Sequence, residues 1–280
     1  MSQPTDETRL DGKAVVVTGA GRGLGAAYAL ACAAAGAAVV VNDIDGDAVE
    51  EVVGTITDAG GTAMAAVGSV ATAESAAAVV DRCAAELGAV DGLVANAGIF
   101  PEGPPWEITP EQVEACTATN VVGVLACGTR AISHMVSQGR GGSIVTVTSG
   151  AALGMPAMSL YAASKGAVLS ATWAWATDTG GTGIRVNAIS PLARTPMVEA
   201  SPSGRGRVDP SHRPEDVAPL VVALLSDATA PITGQVVRFD GRTLSTLSPP
   251  AFDGPGVTRP AWEAAEVAAA LAGLSTDDDR

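Results

Sequence analysis

The chain has 280 residues, 47% of them hydrophobic and only 16% charged, ample for a buried core in one large α/β domain or two small ones. Its 30 acidic and 16 basic residues leave a formal charge of −14, which argues against a nucleic-acid partner, because such binders concentrate Lys and Arg. The four cysteines, Cys32, Cys83, Cys116 and Cys127, form no CxxC pair and read as buried reduced thiols, consistent with a cytoplasmic protein.

In chain order, residues 1–10 are polar and read as a flexible tail without a signal-peptide pattern. Short apolar runs then recur at residues 14–17, 37–41, 63–67, 92–95, 143–147, 185–189 and 236–239, separated by amphipathic stretches. Buried runs of that length alternating with helices predict a parallel sheet covered on both faces. Residues 24–41 form an uncharged run of membrane-spanning length, but it is rich in Ala and broken by Gly36, so a helix, a turn and a buried strand are expected. Thr109-Pro110-Glu111-Gln112 carries a cap residue, a Pro at the first helical position and a Gln three after the cap, which together mark a helix start. Pro214 repeats the Pro signal. Residues 196–213 lack periodicity and are expected to be a long loop, a lid over the carboxyl ends of the strands. Beyond Leu247 a Pro-rich stretch leads to a helix expected over residues 262–274. The division is therefore a tail (1–10), an α/β domain (11–246), read below as dinucleotide-binding and catalytic on its motifs, and a C-terminal extension with a short helix (247–280).

Two patterns carry chemistry. Thr18-Gly-Ala-Gly-Arg-Gly-Leu-Gly25 follows the first strand directly, and its GxxxGxG spacing at Gly19, Gly23 and Gly25 suits a tight turn that lets a pyrophosphate approach a helix N-terminus. Asp43 ends the second strand, where a carboxylate accepts hydrogen bonds from the adenosine ribose and repels a 2′-phosphate. That favours NAD over NADP. Arg22, inside the turn, argues the other way, and Asp43 also suits a helix cap. The second pattern is Tyr161 and Lys165, one of each of the two tyrosines and two lysines in the chain. Four residues apart on a helix they share a face, where an ammonium draws a phenol toward a working general base.

With Asn96-Ala97-Gly98, Asn120 and Ser149 added, these motifs in this order resemble the short-chain dehydrogenase/reductase family over residues 10–245. The resemblance implies a single Rossmann-type doubly wound domain with a seven-stranded parallel sheet, and a homo-oligomer, tetramer or dimer. It implies hydride transfer between an alcohol or ketone and a nicotinamide. It makes Tyr161 the acid/base, Lys165 the group that lowers its pKa and holds the nicotinamide ribose, and Ser149 the donor to the reacting oxygen. Asn120 would fix a water linking Lys165 to solvent. The cofactor contacts it implies are Gly19, Arg22, Gly23, Leu24, Gly25, Asp43, Ser69, Val70, Asn96, Ala97, Gly98, Tyr161, Lys165, Pro191 and Thr195, with Val186 and Asn187 beside the nicotinamide.

The chain departs from the family pattern at Ser69, where many members have Asp, at Ala95 and at Leu192. The segment between the serine and the tyrosine is also one residue short, so Thr148 matches by count and Ser149 by the strand-end pattern. Ser149 is expected. Met155, Met158 and Met197 fall near the expected substrate mouth, and neither His134 nor His212 has metal-like spacing, so no metal site is expected. Trp173 and Trp175, two apart, should point to different faces of one helix. The expected function is an NAD-dependent dehydrogenase acting on a secondary alcohol of an apolar small molecule: a steroid, a polyketide or terpenoid alcohol, or a hydroxyacyl thioester. The alternatives are an NADPH-dependent ketoreductase of a biosynthetic pathway and a non-catalytic cofactor-binding regulator. Neither a nucleic acid nor a membrane is expected as a partner.

Overall fold

The computed structural model describes residues 6–201, 206, 208–252 and 256–274. The first half runs β1 (Ala14–Thr18), α1 (Gly23–Ala34), β2 (Ala38–Asp43), α2 (Gly46–Asp58), β3 (Thr62–Val67), α3 (Ala73–Leu87) and β4 (Gly92–Ala95). After a long connection come α4 (Pro110–Cys116), a π-helical stretch (Thr117–Gly123), α5 (Val124–Gln138), β5 (Gly142–Val147) and α6 (Ser159–Asp178). The chain continues through β6 (Ile184–Pro191), α7 (Pro196–Ala200), α8 (Pro214–Leu225), β7 (Val236–Phe239), β8 (Leu244–Leu247) and α9 (Ala264–Leu274).

Period-two alternation builds the three layers. Val15 and Val17 of β1 face one way, into a cluster with Tyr28 and Cys32 of α1 and Val217 and Val221 of α8. Val16 faces the other way, toward Val80 of α3, Ala131 and Met135 of α5 and Val168 of α6. Because both faces are covered, all five residues of β1 are buried, so its sequence is a continuous apolar run. The sheet order is β3-β2-β1-β4-β5-β6-β7-β8. Strand order reverses between β1 and β4, and the crevice that opens beyond their carboxyl ends is where such sheets bind ligands.

The sheet departs from the expected seven parallel strands by adding β8, antiparallel to β7. Its hairpin turns at Asp240, whose carboxylate accepts from the backbone N–H of Arg242 (2.8 Å) and Thr243 (2.6 Å). β8 is short and mostly exposed, so it presents no apolar run to read. The expected loop over residues 196–213 begins instead with α7, where Thr195 accepts from the Val198 N–H and Pro196 takes the first helical position. Residues 202–205 and 207 of that expected lid lie outside the described residues.

At the N-terminus Asp6–Thr8 forms a 3-10 turn, and Leu10 is buried with its N–H bonded to the Ala35 carbonyl at 2.8 Å. Residues 1–5 of the expected tail, like residues 275–280 at the other end, lie outside the described residues. One compact unit runs to Ser248 and a second begins at Pro249. Within the second, α9 starts at Ala264, and the Arg259 guanidinium pairs with Glu266 and lies 5.0 Å over the Trp262 ring. The apolar run at residues 24–41 resolves into α1, a turn and β2. The helical segment Pro110–Gln138 is the one that, among the described residues, has the length and composition to cross a membrane, and one face of it carries Cys127, Ala131 and Met135 into the core.

Candidate active site

The glycine turn leaves β1 at the reversal point. Gly19 has φ +62°, and a Cβ there would lie 2.8 Å from Ala97 Cα; a Cβ on Gly25 would lie 2.0 Å from the Gly19 carbonyl oxygen. No other residue fits either place. Asn96 braces the turn, its side-chain amide donating to the carbonyls of Thr18 and Gly19 at 2.9 Å each. Thr18 Oγ1 accepts in return from the backbone N–H groups of Asn96 and Ala97 at 3.1 Å. Helix α1 begins here with no side-chain cap bond from Arg22, so its first-turn N–H groups are left for an anion.

At the end of β2 the Asp43 carboxylate accepts from the N–H of Gly21 (3.0 Å) and of Asp45 (3.2 Å). The helix-capping role considered for Asp43 belongs to Asp45, which accepts from Ala48 N–H at 3.1 Å at the start of α2. Asp45 also pairs with Arg22, which ties down the guanidinium inside the turn.

On the other side of the crevice β5 delivers Thr148 and Ser149, and α6 delivers Tyr161 and Lys165. Thr148 is buried and donates to the Lys165 backbone carbonyl at 3.1 Å. Ser149 Oγ accepts from Ala151 N–H at 3.2 Å and lines the same cleft as the Tyr161 phenol, whose anionic form it favours. Lys165 Nζ lies 5.6 Å from the Tyr161 ring centroid and donates to the Val147 carbonyl at 2.8 Å. Phe100 packs edge-on to Tyr161, with centroids 4.6 Å apart and planes at 72°. A cleft of about 680 Å³ joins the glycine turn to this group, a volume suited to a cofactor with a small substrate. The glycine cradle, the bare helix end and the Asp43 carboxylate fit a dinucleotide lying across it.

The family model described as "short chain dehydrogenase" matches residues 13–205, more than half of the chain. The chain belongs to the short-chain dehydrogenase/reductase family. It is therefore an oxidoreductase of the NAD(P)-binding kind. A relative from Sinomonas cyclohexanicum, cis-4-hydroxycyclohexanecarboxylate dehydrogenase, is 38% identical over 82% of this chain and 95% of its own. A short-chain dehydrogenase structure from Mycobacterium avium is 36% identical with a TM-score of 0.85, over 95% of each chain. Another, from Burkholderia cenocepacia in complex with NADP, is 34% identical with a TM-score of 0.78, over 83% of this chain and 98% of its own. With an NADP complex among such neighbours, family membership does not favour NAD over NADP.

Of the cofactor residues expected for this dehydrogenase fold, all but Ser69, Val70, Val186 and Asn187, together with Ser149, line the cleft. Ser69 accepts from Ala71 N–H at 3.1 Å, and Val70 is buried, with its carbonyl 2.7 Å from where a Gly123 Cβ would stand. Asn187, expected beside the nicotinamide, is instead a brace in β6: its amide donates to the Ile232 carbonyl at 2.9 Å and accepts from Gln235 N–H at 3.0 Å. Thr195 lines the cleft while capping α7. Asn120 is fully buried behind the cleft, exchanging hydrogen bonds with the backbone of Ile99 (2.8 and 2.9 Å) and donating to Ser164 Oγ at 3.1 Å. It sits in the π-helical stretch, and Gly98 lies between it and Lys165: a Cβ on Gly98 would be 3.3 Å from Asn120 Oδ1 and 3.6 Å from Lys165 Nζ.

Burial pushes the Tyr161 phenol up to about 12, against the Ser149 hydroxyl, which favours the phenolate, and buried Cys116 adds to the rise. Burial likewise lowers Lys165 to about 8, opposed by Cys116. Burial is the largest influence on both groups, and the amine is directed to the Val147 carbonyl. Sequence reasoning passed over Phe100 and Arg238, both of which line the cleft. No motif contains either, and only the topology carries β7 to the same mouth as β5. Trp173 packs with Leu169, Ala188 and Val236, and Trp175 packs against the cluster that holds Met135, so the two do point apart.

Proposed function

We propose that this oxidoreductase interconverts a secondary alcohol and its ketone on an apolar small molecule, with Tyr161 as acid/base, Ser149 as donor to the reacting oxygen and Lys165 as the cation beneath them. The observation that carries the reading is the meeting of Ser149, Tyr161 and Lys165 in the cleft that also contains the glycine turn. A bound nicotinamide dinucleotide supplies the hydride acceptor or donor. As the carbinol C–H pair leaves as hydride, Tyr161 takes the hydroxyl proton, and the Ser149 hydroxyl donates to the oxygen as it becomes a carbonyl. Phe100, Met155, Met158, Met197 and Val198 give the mouth an apolar wall, which supports a carbocyclic or long-chain alcohol. The name of the Sinomonas relative, a ring-borne alcohol dehydrogenase, points the same way.

NAD is the cofactor we assign, on the grounds that Asp43 is held at the end of β2 by two backbone N–H groups and Arg22 is occupied by Asp45. Asn120 is assigned to the proton exit behind Lys165, and the chain to a cytoplasmic homo-oligomer. Support for self-association is the exposure of Val113, Leu125 and Val136 along α4 and α5.

The test is turnover of wild type and Tyr161→Phe on a panel of secondary alcohols with each cofactor. Wild type should reduce NAD and the variant should lose ~10²–10⁴ in kcat while still binding NADH. Asp43→Ala should relax the cofactor preference. Stronger binding of NADPH than NADH by wild type would favour a biosynthetic ketoreductase, and no turnover in any combination would favour a cofactor-binding regulator.

A further inference from the structure

Three described cations line the cleft, and two are engaged: Arg22 with Asp45 and Lys165 with the Val147 carbonyl. The third, Arg238, has neither a hydrogen bond nor an ion pair among the described residues, whereas every other described arginine donates to a carboxylate, a carbonyl or a hydroxyl. In a chain with 30 acidic residues, an arginine facing a binding cleft without one is out of keeping with its surroundings.

Its placement is set by the sheet. Arg238 pairs in register with Ser190, one residue before the Phe239–Pro191 pair, and Pro191 lines the cleft. It shares its side of β7 with Val236, which packs on Leu169 of α6, so the guanidinium stands on the face that carries Tyr161 and Lys165. Its Nη1 would lie 2.6 Å from a Cβ on Gly150, the residue directly after Ser149. The absent side chain at Gly150 lets the guanidinium lie against the backbone beside the reacting oxygen's donor. Among the described residues the acids that line the cleft are Asp43 and Asp45, which belong to the glycine-turn end and are already bonded.

We propose that Arg238 is the anchor for an anionic group on the substrate, a carboxylate, so that the alcohol handled at Ser149 and Tyr161 is a hydroxy acid with an apolar body. This rests on the dehydrogenase reading above and deepens it. A guanidinium binds a carboxylate through two parallel N–H bonds and so fixes orientation as well as affinity. With the apolar wall holding the body between them, the two polar ends would set which carbinol face meets the nicotinamide.

The experiment compares the 2-, 3- and 4-hydroxycyclohexanecarboxylates with their carboxamides on wild type, Arg238→Gln and Arg238→Lys. Wild type should favour at least one acid over its amide by tenfold or more in kcat/KM. Arg238→Gln should raise KM for that acid about 10–100-fold, in the range of a lost charge-assisted bond, and leave the amide within twofold. Arg238→Lys should recover part of the loss. Equal use of acid and amide by wild type, or an acid preference that survives Arg238→Gln, overturns the anion site and leaves the dehydrogenase reading intact. Calorimetric titration with cyclohexanecarboxylate in the presence of NADH separates the remaining cases. If no alcohol is oxidised but the acid binds wild type and not Arg238→Gln, the anion site stands and the dehydrogenase reading falls. If neither turnover nor binding is seen, both fall.

Discussion

At the scale of single residues, the site sets a charge requirement against burial. Lys165 is 3% exposed and its ammonium is held down to about 8, so the folded chain disfavours the proton that the unfolded chain binds up to about 10.5. Between these values the unfolded state binds more protons, and stability rises with pH. The contribution is present above about 10.5 and is lost as pH falls through about 8, leaving a cost on the order of 3 kcal/mol at neutral pH. Thermal unfolding of wild type and Lys165→Met across pH 7 to 10.5 should show wild type gaining on the variant as pH rises. A constant difference would mean that the amine is not desolvated. Asn120→Ala should be costly for another reason, since it leaves the N–H and C=O of Ile99 without partners in a part-buried place, about 2–5 kcal/mol by urea denaturation. Tyr161 and Lys165 were legible because the residue types are rare and their spacing is helical. The burial of both groups was not, because desolvation belongs to the tertiary structure.

At the scale of elements, what the sequence made readable was whatever repeats or is punctuated. Two-sided burial wrote β1, β2, β5 and β6 as apolar runs, and the Thr109–Gln112 capping box wrote the start of α4, where both reciprocal bonds are present. Short, half-exposed pieces such as α7 and β8 left no period to read. The connection between Ser149 and Tyr161 was seen only as one residue short of the family pattern. In the structure that connection contains Ala157 at φ +60°, the one described non-glycine residue with positive φ, and its carbonyl accepts from Gly103 N–H at 2.9 Å. A left-handed alanine costs about 1–2 kcal/mol, part of which a glycine returns to the unfolded chain as entropy. Ala157→Gly should therefore raise stability by about 0.5–1 kcal/mol, read as a higher urea midpoint with an unchanged m-value. A lower midpoint would show that the Cβ makes packing contacts worth more than the strain. The glycine turn should behave in the opposite sense: Gly25→Ala drives a Cβ into the Gly19 carbonyl and should abolish NADH binding in a fluorescence titration.

At the scale of the whole molecule, a net charge of −14 surrounds a cleft that must receive a polyanion. Charge balance could be read from composition, but its arrangement could not, because the fold decides which acids face the mouth. The local field favours the dinucleotide through the α1 N-terminus, while the global field opposes its approach. Range separates the two. At about 10 mM salt the screening length is about 30 Å, comparable with the domain, and the full acidic surface is felt; at about 150 mM it shrinks to about 8 Å and only charges lining the cleft count. Dinucleotide affinity should therefore improve several-fold between those salt concentrations, in contrast to the weakening expected of a basic anion-binding protein. NADPH, with its extra phosphate, should show the steeper slope. In Asp43→Ala the difference in affinity between the two cofactors should narrow while both slopes remain, since the slope belongs to the surface and the discrimination to one carboxylate. Titrating NADH and NADPH against wild type and Asp43→Ala at both salt levels gives all four slopes, and an affinity that falls with salt would show that the helix end and cleft cations outweigh the acidic shell.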